Sequence, residues 1–543
     1  MNALRWACVV ATLGAAAYLL ADPVSVDHAA QLYRVWLVRD AGLGLWDNGW
    51  YGGHHTLGYS VLYPPLGALA GARVAGALAC VAAAALFAQL ARRAWGERAG
   101  AVAAIWFAAG ATGTLFSGRL TFMLGVAVGL AALLALQRAR RPLAAGLAIL
   151  TSLASPVAGL FVAIAAVAWG LARRDRRAWG AVVAACALAP PLAFAVLFAE
   201  GGTHPFAASA FWPLLGGLVL VAVLVGAPER ELRLGAALYA LACAASFAVA
   251  NPLGGNATRL GALFAGPVVA GAWLARRQAA GGGGGRAALA AAGGGGARRT
   301  RAAAARGGGA RGAWAAVPIA ALLAYWQLYP AVRDVVRVSG DPSTAAAYHV
   351  PLLRFLEGRP GTFRVEIPFT ESHWEAAYVA PHIPLARGWE RQLDRRYDAL
   401  FYDGTLDAAR YRAWLDELAV AYVALPDVAL DASARAEGRL VARGLPYLRP
   451  VWHDAHWRVF AVRRPTPLVA GVARTIALRP DGFAIAARRP GDALVRIRHT
   501  RWWAVTAGRA CVRPGPDGMT RVQVLAPGTV RVQARLTGPA CRR

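Results

Sequence analysis

Eleven apolar segments, separated by short connections rich in arginine, occupy most of the first 330 residues of this chain. Of its 543 residues, 57% are hydrophobic and 16% are charged, whereas soluble domains carry about 25% charged residues. This pattern predicts a mainly helical protein that crosses a membrane about eleven times. The segments are residues 6–21, 66–90, 100–116, 120–136, 142–153, 156–171, 179–198, 211–226, 234–249, 260–274 and 314–328.

The placement of arginine predicts how these segments are oriented. Connections at residues 92–98, 138–141, 173–177 and 230–233 are rich in arginine, so we expect them in the cytoplasm. If residues 142–171 formed one helix, the arginine cluster at 173–177 would lie outside the cytoplasm. A break at Ser155-Pro156 would instead give a hairpin of two short helices and keep that cluster in the cytoplasm. The hairpin is favoured because it agrees with the arginine rule. We therefore expect a multi-pass protein of the plasma (inner) membrane, with a cytoplasmic N-terminus and everything after Pro330 outside.

The formal net charge is +29, and every basic residue is arginine. Because arginine-rich cytoplasmic connections explain such an excess in a membrane protein, nucleic acid is not an expected partner. Residues 278–312 are mostly Gly, Ala and Arg and predict a flexible cytoplasmic linker, with a nucleic-acid or anionic-lipid role of this segment as the alternative. The six cysteines show no metal-binding spacing, and a divalent cation is the one cofactor left open.

The chain from residue 331 onward has the pattern of a soluble protein. Residues 331–464 combine helical patterns near 343–357 and 407–418 with strand patterns at 363–369 and 420–425, which predicts an α/β domain. Alternating residues separated by Pro-Asp-Gly and Pro-Gly turns predict an antiparallel β-sandwich over residues 465–543. Cys511 and Cys541 both lie in that sandwich, and a disulfide between them is permitted outside the cytoplasm.

Residues 22–65 form the long polar interruption between the first two apolar segments. The stretch contains four aspartates, three histidines and many Trp and Tyr residues. Its aromatic content argues against disorder, and loops of this length are often functional. We therefore expect a folded loop on the extracytoplasmic side that carries a site at the membrane surface.

Five residues of this loop are candidates for the site. Asp27 can act as a general base on a hydroxyl or help to hold a divalent cation, although an aspartate here can also simply start a helix. His28 is its neighbour and a candidate for substrate binding. His54 and His55 follow a glycine turn and can bind phosphate or sugar, or form a solvated turn; as adjacent residues they are poor paired metal ligands. Tyr63, a further substrate-binding candidate, precedes two prolines that set how the loop enters the next helix.

Arg119 and Arg259 are the basic residues of the short outer connections, against the general bias of arginine toward the cytoplasm. An arginine at the outer surface can bind the phosphate of a lipid-linked substrate with two parallel hydrogen bonds. The alternative is a side chain that extends to water. We expect both arginines to line one cavity together with Asp27.

Several of these features resemble the GT-C-type membrane glycosyltransferases. The first helix is followed by a long outer loop with Asp27, short helices follow, and the chain ends in an extracytoplasmic domain. Local stretches resemble the polyprenyl-phosphate-sugar-dependent bacterial members and related YfhO-like membrane proteins. They are Trp-Tyr-Gly-Gly at residues 50–53, Tyr-Pro-Pro-Leu at 63–66 and Leu-Ala-Ser-Pro at 153–156. A second acidic motif of the family is missing from the outer connection at residues 116–119.

The resemblance implies an enzyme that moves a sugar from a polyprenyl-phosphate donor to a cell-envelope acceptor, a glycan or a protein, on the extracytoplasmic side. Asp27 would be its catalytic base. The alternative is a non-catalytic membrane protein on the same scaffold that assembles or handles cell-envelope polymers. Membrane lipid is a partner on both interpretations.

Overall fold

A computed structural model describes residues 2–227, 229–290 and 298–542, with side chains described outside 281–290 and 298–316. Contacts between residues divide the chain into two units. The first consists of Met1–Pro23, Arg73–Leu192 and Pro205–Arg337. The second consists of Val24–Ala72, Ala193–His204 and Val338–Arg543. The long polar loop of the sequence thus belongs to the same unit as the C-terminal region.

Twelve helices lie in the described chain up to Val338, and most consist of the Ala and Leu that favour helix. In the described residues, seven of them are long and apolar enough to cross a membrane: α1, α4, α5, α8, α9, α10 and α11 in the numbering below. The helices are α1 Ala3–Ala21, α2 Val26–Ala41, α3 Tyr63–Ala70, α4 Ala72–Phe116, α5 Leu120–Gln137, α6 Arg141–Ala154, α7 Pro156–Ala172, α8 Arg177–Leu197, α9 Ala208–Val225, α10 Arg230–Ala248, α11 Arg259–Ala290 and α12 Arg298–Val338.

The predicted apolar segments extend at most one residue beyond these helices, except that 66–90 begins in α3 and continues past Gly71 into α4. The prediction of a helical membrane protein is confirmed in its class. Most of segment 66–90 and all of 100–116 lie in α4, whose backbone leaves the helical conformation at Gly96, where φ is 77°. The break at Ser155-Pro156 separates α6 from α7, and the Ser155 side chain caps α7 by accepting a hydrogen bond from the Ala158 backbone N–H. The number of membrane crossings stays a prediction.

The expected linker at residues 278–312 overlaps the end of α11 and the start of α12. Residues 291–297, at its centre, lie outside the described residues. Helix α11 extends to Ala290, and α12 begins at Arg298 and continues to Val338, past the point where the soluble region was expected to begin.

The second unit contains α2, α3, five further helices and the strands. Two short strands come from the polar loop, and the others follow Val338. The helices are α13 Ala346–Glu357, α14 Glu375–Tyr378, α15 Arg391–Tyr397, α16 Ala408–Glu417 and α17 Arg435–Ala442. The strands are β1 Trp46–Asp47, β2 His54–His55, β3 Arg364–Glu366, β4 Val420–Pro426, β5 Leu448–His453, β6 Trp457–Val462, β7 Val469–Gly471, β8 Ala473–Arg479, β9 Gly482–Ala487, β10 Gly491–Arg498, β11 Trp503–Ala507, β12 Ala510–Pro514, β13 Met519–Val524, β14 Gly528–Ala534 and β15 Cys541–Arg542.

These strands form the two folds that the sequence predicts. The α/β region has a sheet of order β3-β4-β6-β5, in which β3 is parallel to β4 and the other pairs are antiparallel. Two antiparallel sheets of order β15-β12-β13-β10-β7 and β11-β14-β9-β8 form the sandwich. Alternating Val, Ile and aromatic residues from both sheets pack into its core. Cys511 and Cys541 face each other across β12 and β15 and form a disulfide.

The polar loop is held in the second unit by backbone and side-chain hydrogen bonds. Strands β1 and β2 pair with Trp46 opposite His55 and Asp47 opposite His54. The Asn48 amide donates to the carbonyls of Arg479 and Gly482 at 2.8 and 3.0 Å. Trp46 packs in the core of the sandwich. In the turn, a side chain at Gly53 would collide with the Trp46 ring, so only glycine fits there.

Candidate functional site

Two arginines lie on the wall of one small cavity in the first unit. Arg119 precedes α5, and its Nη2 donates to the Asp334 carboxylate at 2.9 Å. Arg259 starts α11, with its guanidinium 5.5 Å from the centre of the Phe122 ring. The cavity has a volume of about 20 Å³, the space of one water. Gly110, Gly113, Thr114, Ser117, Arg119, Phe122, Arg259, Ala262, Leu263, Gln327, Pro330 and Ala331 line it.

The electrostatics of this cavity favour an anion. Both arginines line it, and the Asp334 carboxylate that Arg119 contacts is shared with Arg333, also at 2.9 Å. The nearby Gln327 amide is already used, because it accepts from the Trp106 indole and donates to the Leu263 carbonyl. A phosphate could replace Asp334 as the partner of Arg119, since arginine binds both groups through the same planar arrangement of N–H donors.

A second, larger cavity of the first unit is apolar. Its volume is about 380 Å³, and residues of α4, α5, α7, α9, α10 and α11 line it. On α5 the lining runs from Gly125 to Gln137, a length of about 18 Å at 1.5 Å per residue. Phe122 of the small cavity lies three residues before Gly125, and so on the same face of α5. A cavity of this length and composition fits a lipid chain.

Asp27 and His28 lie in the first turn of α2, in the second unit. The N-cap of this helix is Ser25, so Asp27 is inside the helix and does not cap it; an acid in this turn is favourable to the helix dipole. The indoles of Trp374 and Trp389 donate to the carbonyls of Ser25 and Val26 at 3.2 and 2.8 Å.

The two side chains differ in exposure. Asp27 is partly exposed, and His28 is buried, with its ring edge-on to Trp374 at 5.8 Å. The carboxylate of Asp27 therefore stands on a helix start that two tryptophans hold in place.

His54 is buried in the polar loop and stacks on Trp50 at 5.7 Å. Burial lowers the pKa of His54 to about 3, and burial raises the pKa of the nearby Asp47 to about 6. The Asp47 carboxylate accepts hydrogen bonds from the Tyr33 hydroxyl at 3.0 Å and the Gly49 backbone N–H at 2.9 Å. These groups support the loop from inside, and His54 is neutral at pH 7.

His55 takes part in a network that reaches three parts of the second unit. Its Nδ1 pairs with the Glu200 carboxylate, and its Nε2 contacts the Thr500 hydroxyl at 2.9 Å. Glu200 also accepts from the Tyr397 hydroxyl. Burial would raise the pKa of Glu200, but the hydrogen bonds and charge of His55 lower it. The network ties the loop to residue 200 and to the sandwich.

Tyr63 is buried at the start of α3, and its hydroxyl donates to the Ala72 carbonyl at 2.5 Å. Pro64 and Pro65 occupy the first turn of this helix, as the sequence predicts, because proline fits where no backbone donor is needed. The observed hydrogen bond gives Tyr63 a part in holding the helix entry.

The predicted site residues thus fall in different places. Arg119 and Arg259 share a cavity of the first unit, whereas the Asp, His and Tyr candidates belong to the second, so one site containing Asp27 and both arginines stays a prediction. Among the described residues no group of three His, Cys, Asp or Glu side chains could hold a metal ion. The sequence interpretation missed Asp334 and the role of Trp374 and Trp389; the only signal was tryptophan next to charged residues in 371–375 and 387–391.

The fold and these cavities define a multi-helix membrane protein with a β-rich C-terminal region. The chain is similar to ArnT from Cupriavidus metallidurans in a crystal structure with bound undecaprenyl phosphate: 18% identity, TM-score 0.47, 84% of this chain and 97% of that chain covered. It is also similar to ArnT of the same organism in the apo state, with 16% identity, a TM-score of 0.43, and coverage of 80% and 93%. No protein-family model matches the chain, and no curated protein matches it significantly in sequence.

Proposed function

We propose that this protein is an integral membrane glycosyltransferase that moves a sugar from a polyprenyl-phosphate donor to a cell-envelope acceptor. The observation that supports this most directly is the pairing of two cavities in the first unit. One is small and lined by Arg119 and Arg259; the other is apolar and begins on the same face of α5. An amphiphile with an anionic head and a long apolar chain matches this combination.

In this proposal each part of the first unit has one task. The isoprenoid chain occupies the apolar cavity, where van der Waals contacts with the lining side chains replace its contacts with the lipid tails of the bilayer. The phosphate contacts Arg119 and Arg259, which stabilise the negative charge that grows on it as the sugar leaves. Asp334, now paired with Arg119, gives up that contact when the phosphate arrives.

Asp27 is the proposed general base. It takes the proton from the acceptor hydroxyl while the oxygen attacks the sugar carbon and the polyprenyl phosphate departs with the bonding electrons. Support comes from the position of Asp27, a partly exposed carboxylate on a helix start held by two indoles. The inner membrane is the proposed location, with the second unit outside the cytoplasm, as the arginine-rich connections indicate.

The test is a transfer assay on the purified full chain in lipid nanodiscs, with an undecaprenyl-phosphate-linked sugar as donor. Asp27→Asn keeps the shape and removes the base, so transfer should fall by at least about 100-fold. The matched control is Asp40→Asn, an exposed aspartate near the end of the same helix. Full transfer by Asp27→Asn would contradict the role of Asp27.

Donor binding is measured separately with undecaprenyl phosphate. Arg259→Gln should weaken it about tenfold or more, because a hydrogen bond to a charged group is lost. Arg277→Gln, on the same helix with its guanidinium over Trp273, is the control. A protein that binds the lipid tightly but transfers no sugar to any acceptor supports the alternative, a non-catalytic protein that handles envelope polymers.

A further inference from the structure

The second unit contains two consecutive regions with very different charge. Residues 338–464, the α/β region, contain 16 arginines and 16 acidic residues, so their formal net charge is zero. Residues 465–543, the sandwich, contain 14 arginines and only three acidic residues, a net charge of +11. The arginine content of the whole chain does not explain this contrast, because both regions are rich in arginine and only one is rich in acids.

The arginines of the sandwich lie on its surface with few acidic partners. Among its described residues, only Arg498 and Arg521 lie within 4.0 Å of a carboxylate, and both distances are at the long limit: 3.9 Å to Glu417 and 4.0 Å to Asp492. Arg501, Arg535 and Arg542 donate to neutral oxygens, those of the Leu197 carbonyl, the Gln533 amide and the Thr506 carbonyl, which leave their positive charge unneutralised. The sandwich arginines with exposed side chains, besides Arg521, are Arg474, Arg479, Arg488, Arg489, Arg501, Arg509, Arg513, Arg531, Arg535 and Arg542.

Both outer faces of the sandwich carry these side chains. On the five-stranded sheet, Val512 and Val522 point into the core, so Arg513 and Arg521 point outward. These two arginines are direct partners across β12 and β13. Like charges at directly opposite positions repel, and an anion between them would relieve the repulsion.

The four-stranded sheet also carries outward-pointing arginine side chains, on the opposite face of the sandwich. Val530 and Val532 point into the core, so Arg531 points outward. Across the sheet, Ile485 and Ala487 are in the core, which puts Ala486 and its partner Arg474 on the outer face as well. A flat membrane surface can touch only one of these two faces at a time, whereas a flexible chain can follow both.

We propose that the sandwich binds a flexible polyanion with repeated phosphate or carboxylate groups, and that this polymer is the acceptor. The second part rests on the proposed function and specifies its acceptor as an anionic envelope polymer. Binding is electrostatic and therefore weakens as salt screens the charges. Because arginine binds carboxylate and phosphate alike, the chemistry of the repeat is open to either group.

The test measures binding of polygalacturonate and of inorganic polyphosphate to the full chain in nanodiscs of neutral phosphatidylcholine, with dextran as the uncharged probe. R513Q/R521Q removes two arginines from one face, and R474Q/R531Q removes two from the other. Each double variant should lower the affinity by about fivefold, and the quadruple variant by more. The control R439Q/R443Q removes two exposed arginines of the α/β region, one on α17 and one directly after it, and should leave the affinity unchanged.

Three outcomes would overturn the proposal. One is equal binding of dextran and the two polyanions. Another is an equal loss in the control variant. The third is dependence on one face only, together with binding to phosphatidylglycerol vesicles, which would show a membrane-contact surface. Polyanion binding without any sugar transfer would contradict the proposed function and leave the binding surface intact, whereas undiminished transfer by the quadruple variant would contradict the acceptor assignment alone.

Discussion

The α/β region and the β-sandwich of the second unit use charge in opposite ways. In the α/β region, Arg387 is fully buried and hydrogen-bonded to Asp394 at 2.8 and 3.0 Å and to Glu437 at 3.2 Å. In the sandwich, the core is built from apolar side chains and the arginines are outside. An arginine therefore stabilises the interior of one region, whereas the arginines of the other lie outside its core.

The surroundings of Arg387 explain why a charge is tolerated inside the α/β region. The rings of Phe369 and Phe401 flank its guanidinium, each at 4.0 Å. Burial would lower the pKa of Arg387, but Asp394 and the other acids around it raise it. Burial raises the pKa of two further carboxyl groups there, Glu366 and Asp398. One cation thus organises several carboxyl groups, and two of them have a raised pKa.

The largest expected effect comes from removing that central cation. Arg387→Met leaves the carboxylates of Asp394 and Glu437 buried without a counterion, which should cost about 3–5 kcal/mol of unfolding free energy. Arg513→Met on the sandwich surface should change it by less than about 0.5 kcal/mol. Urea unfolding of the purified full chain, followed by tryptophan fluorescence, measures both. Similar effects of the two variants would remove the distinction between the regions.

A second prediction concerns pH and Glu375, a fully buried residue of the α/β region. Burial raises its pKa to about 8 from 4.5, against the opposing hydrogen bond from the Thr370 hydroxyl. Between these pH values the folded state keeps a proton that the unfolded state releases, so stability falls as pH rises. Each pH unit corresponds to about 1.4 kcal/mol, so wild type should lose roughly 2–3 kcal/mol more than Glu375→Gln between pH 5 and pH 7.

The control for this prediction comes from the sandwich. Asp517 is exposed in a turn where its φ is 53°, and asparagine also tolerates that conformation. Asp517→Asn should therefore keep the turn and leave Glu375 in place, so the fall in stability with rising pH that depends on Glu375 should persist in this variant. If Glu375→Gln showed the same pH dependence as wild type, the carboxyl group would be ionised in the folded protein and the buried charges of the region would be arranged differently.

Local sequence patterns predicted most of the fold. Apolar length predicted the helices, Ser155-Pro156 predicted the break between α6 and α7, and alternation with turn signals predicted the sandwich. The joining of the polar loop to the C-terminal region was not predictable. It depends on contacts such as Asn48 with the Arg479 carbonyl, which are distant in the chain and leave no periodic signal.

Among the candidate site residues, a clear sequence signal existed only for those that violate a general rule of residue placement. Arg119 and Arg259 stood out because they oppose the arginine bias, and the structure brings them to one cavity. Asp334 gave no such signal, because an aspartate beside Arg333 is ordinary at the end of a helix. The burial of His54 was equally hidden, because two adjacent histidines look alike in a sequence. They differ only in the folded protein, where His54 stacks on Trp50 and His55 pairs with Glu200.

The smallest expected effect tests whether the sandwich keeps its arginines at a cost to stability. Arg513 and Arg521 are directly opposite, so Arg521→Gln should raise the unfolding free energy by roughly 0.5 kcal/mol at low salt, and the gain should vanish near 1 M salt as the repulsion is screened. The matched control is Arg531→Gln, because Arg531 lies opposite Ala484 and Ala507 and has no like charge to lose. Urea unfolding at two salt concentrations measures the difference. Suppose that only Arg521→Gln raises the unfolding free energy, and that the same variant also binds polyanions less tightly. The pair of Arg513 and Arg521 then serves binding at the expense of folding. Equal stabilities for the two variants would leave the basic surface without that cost.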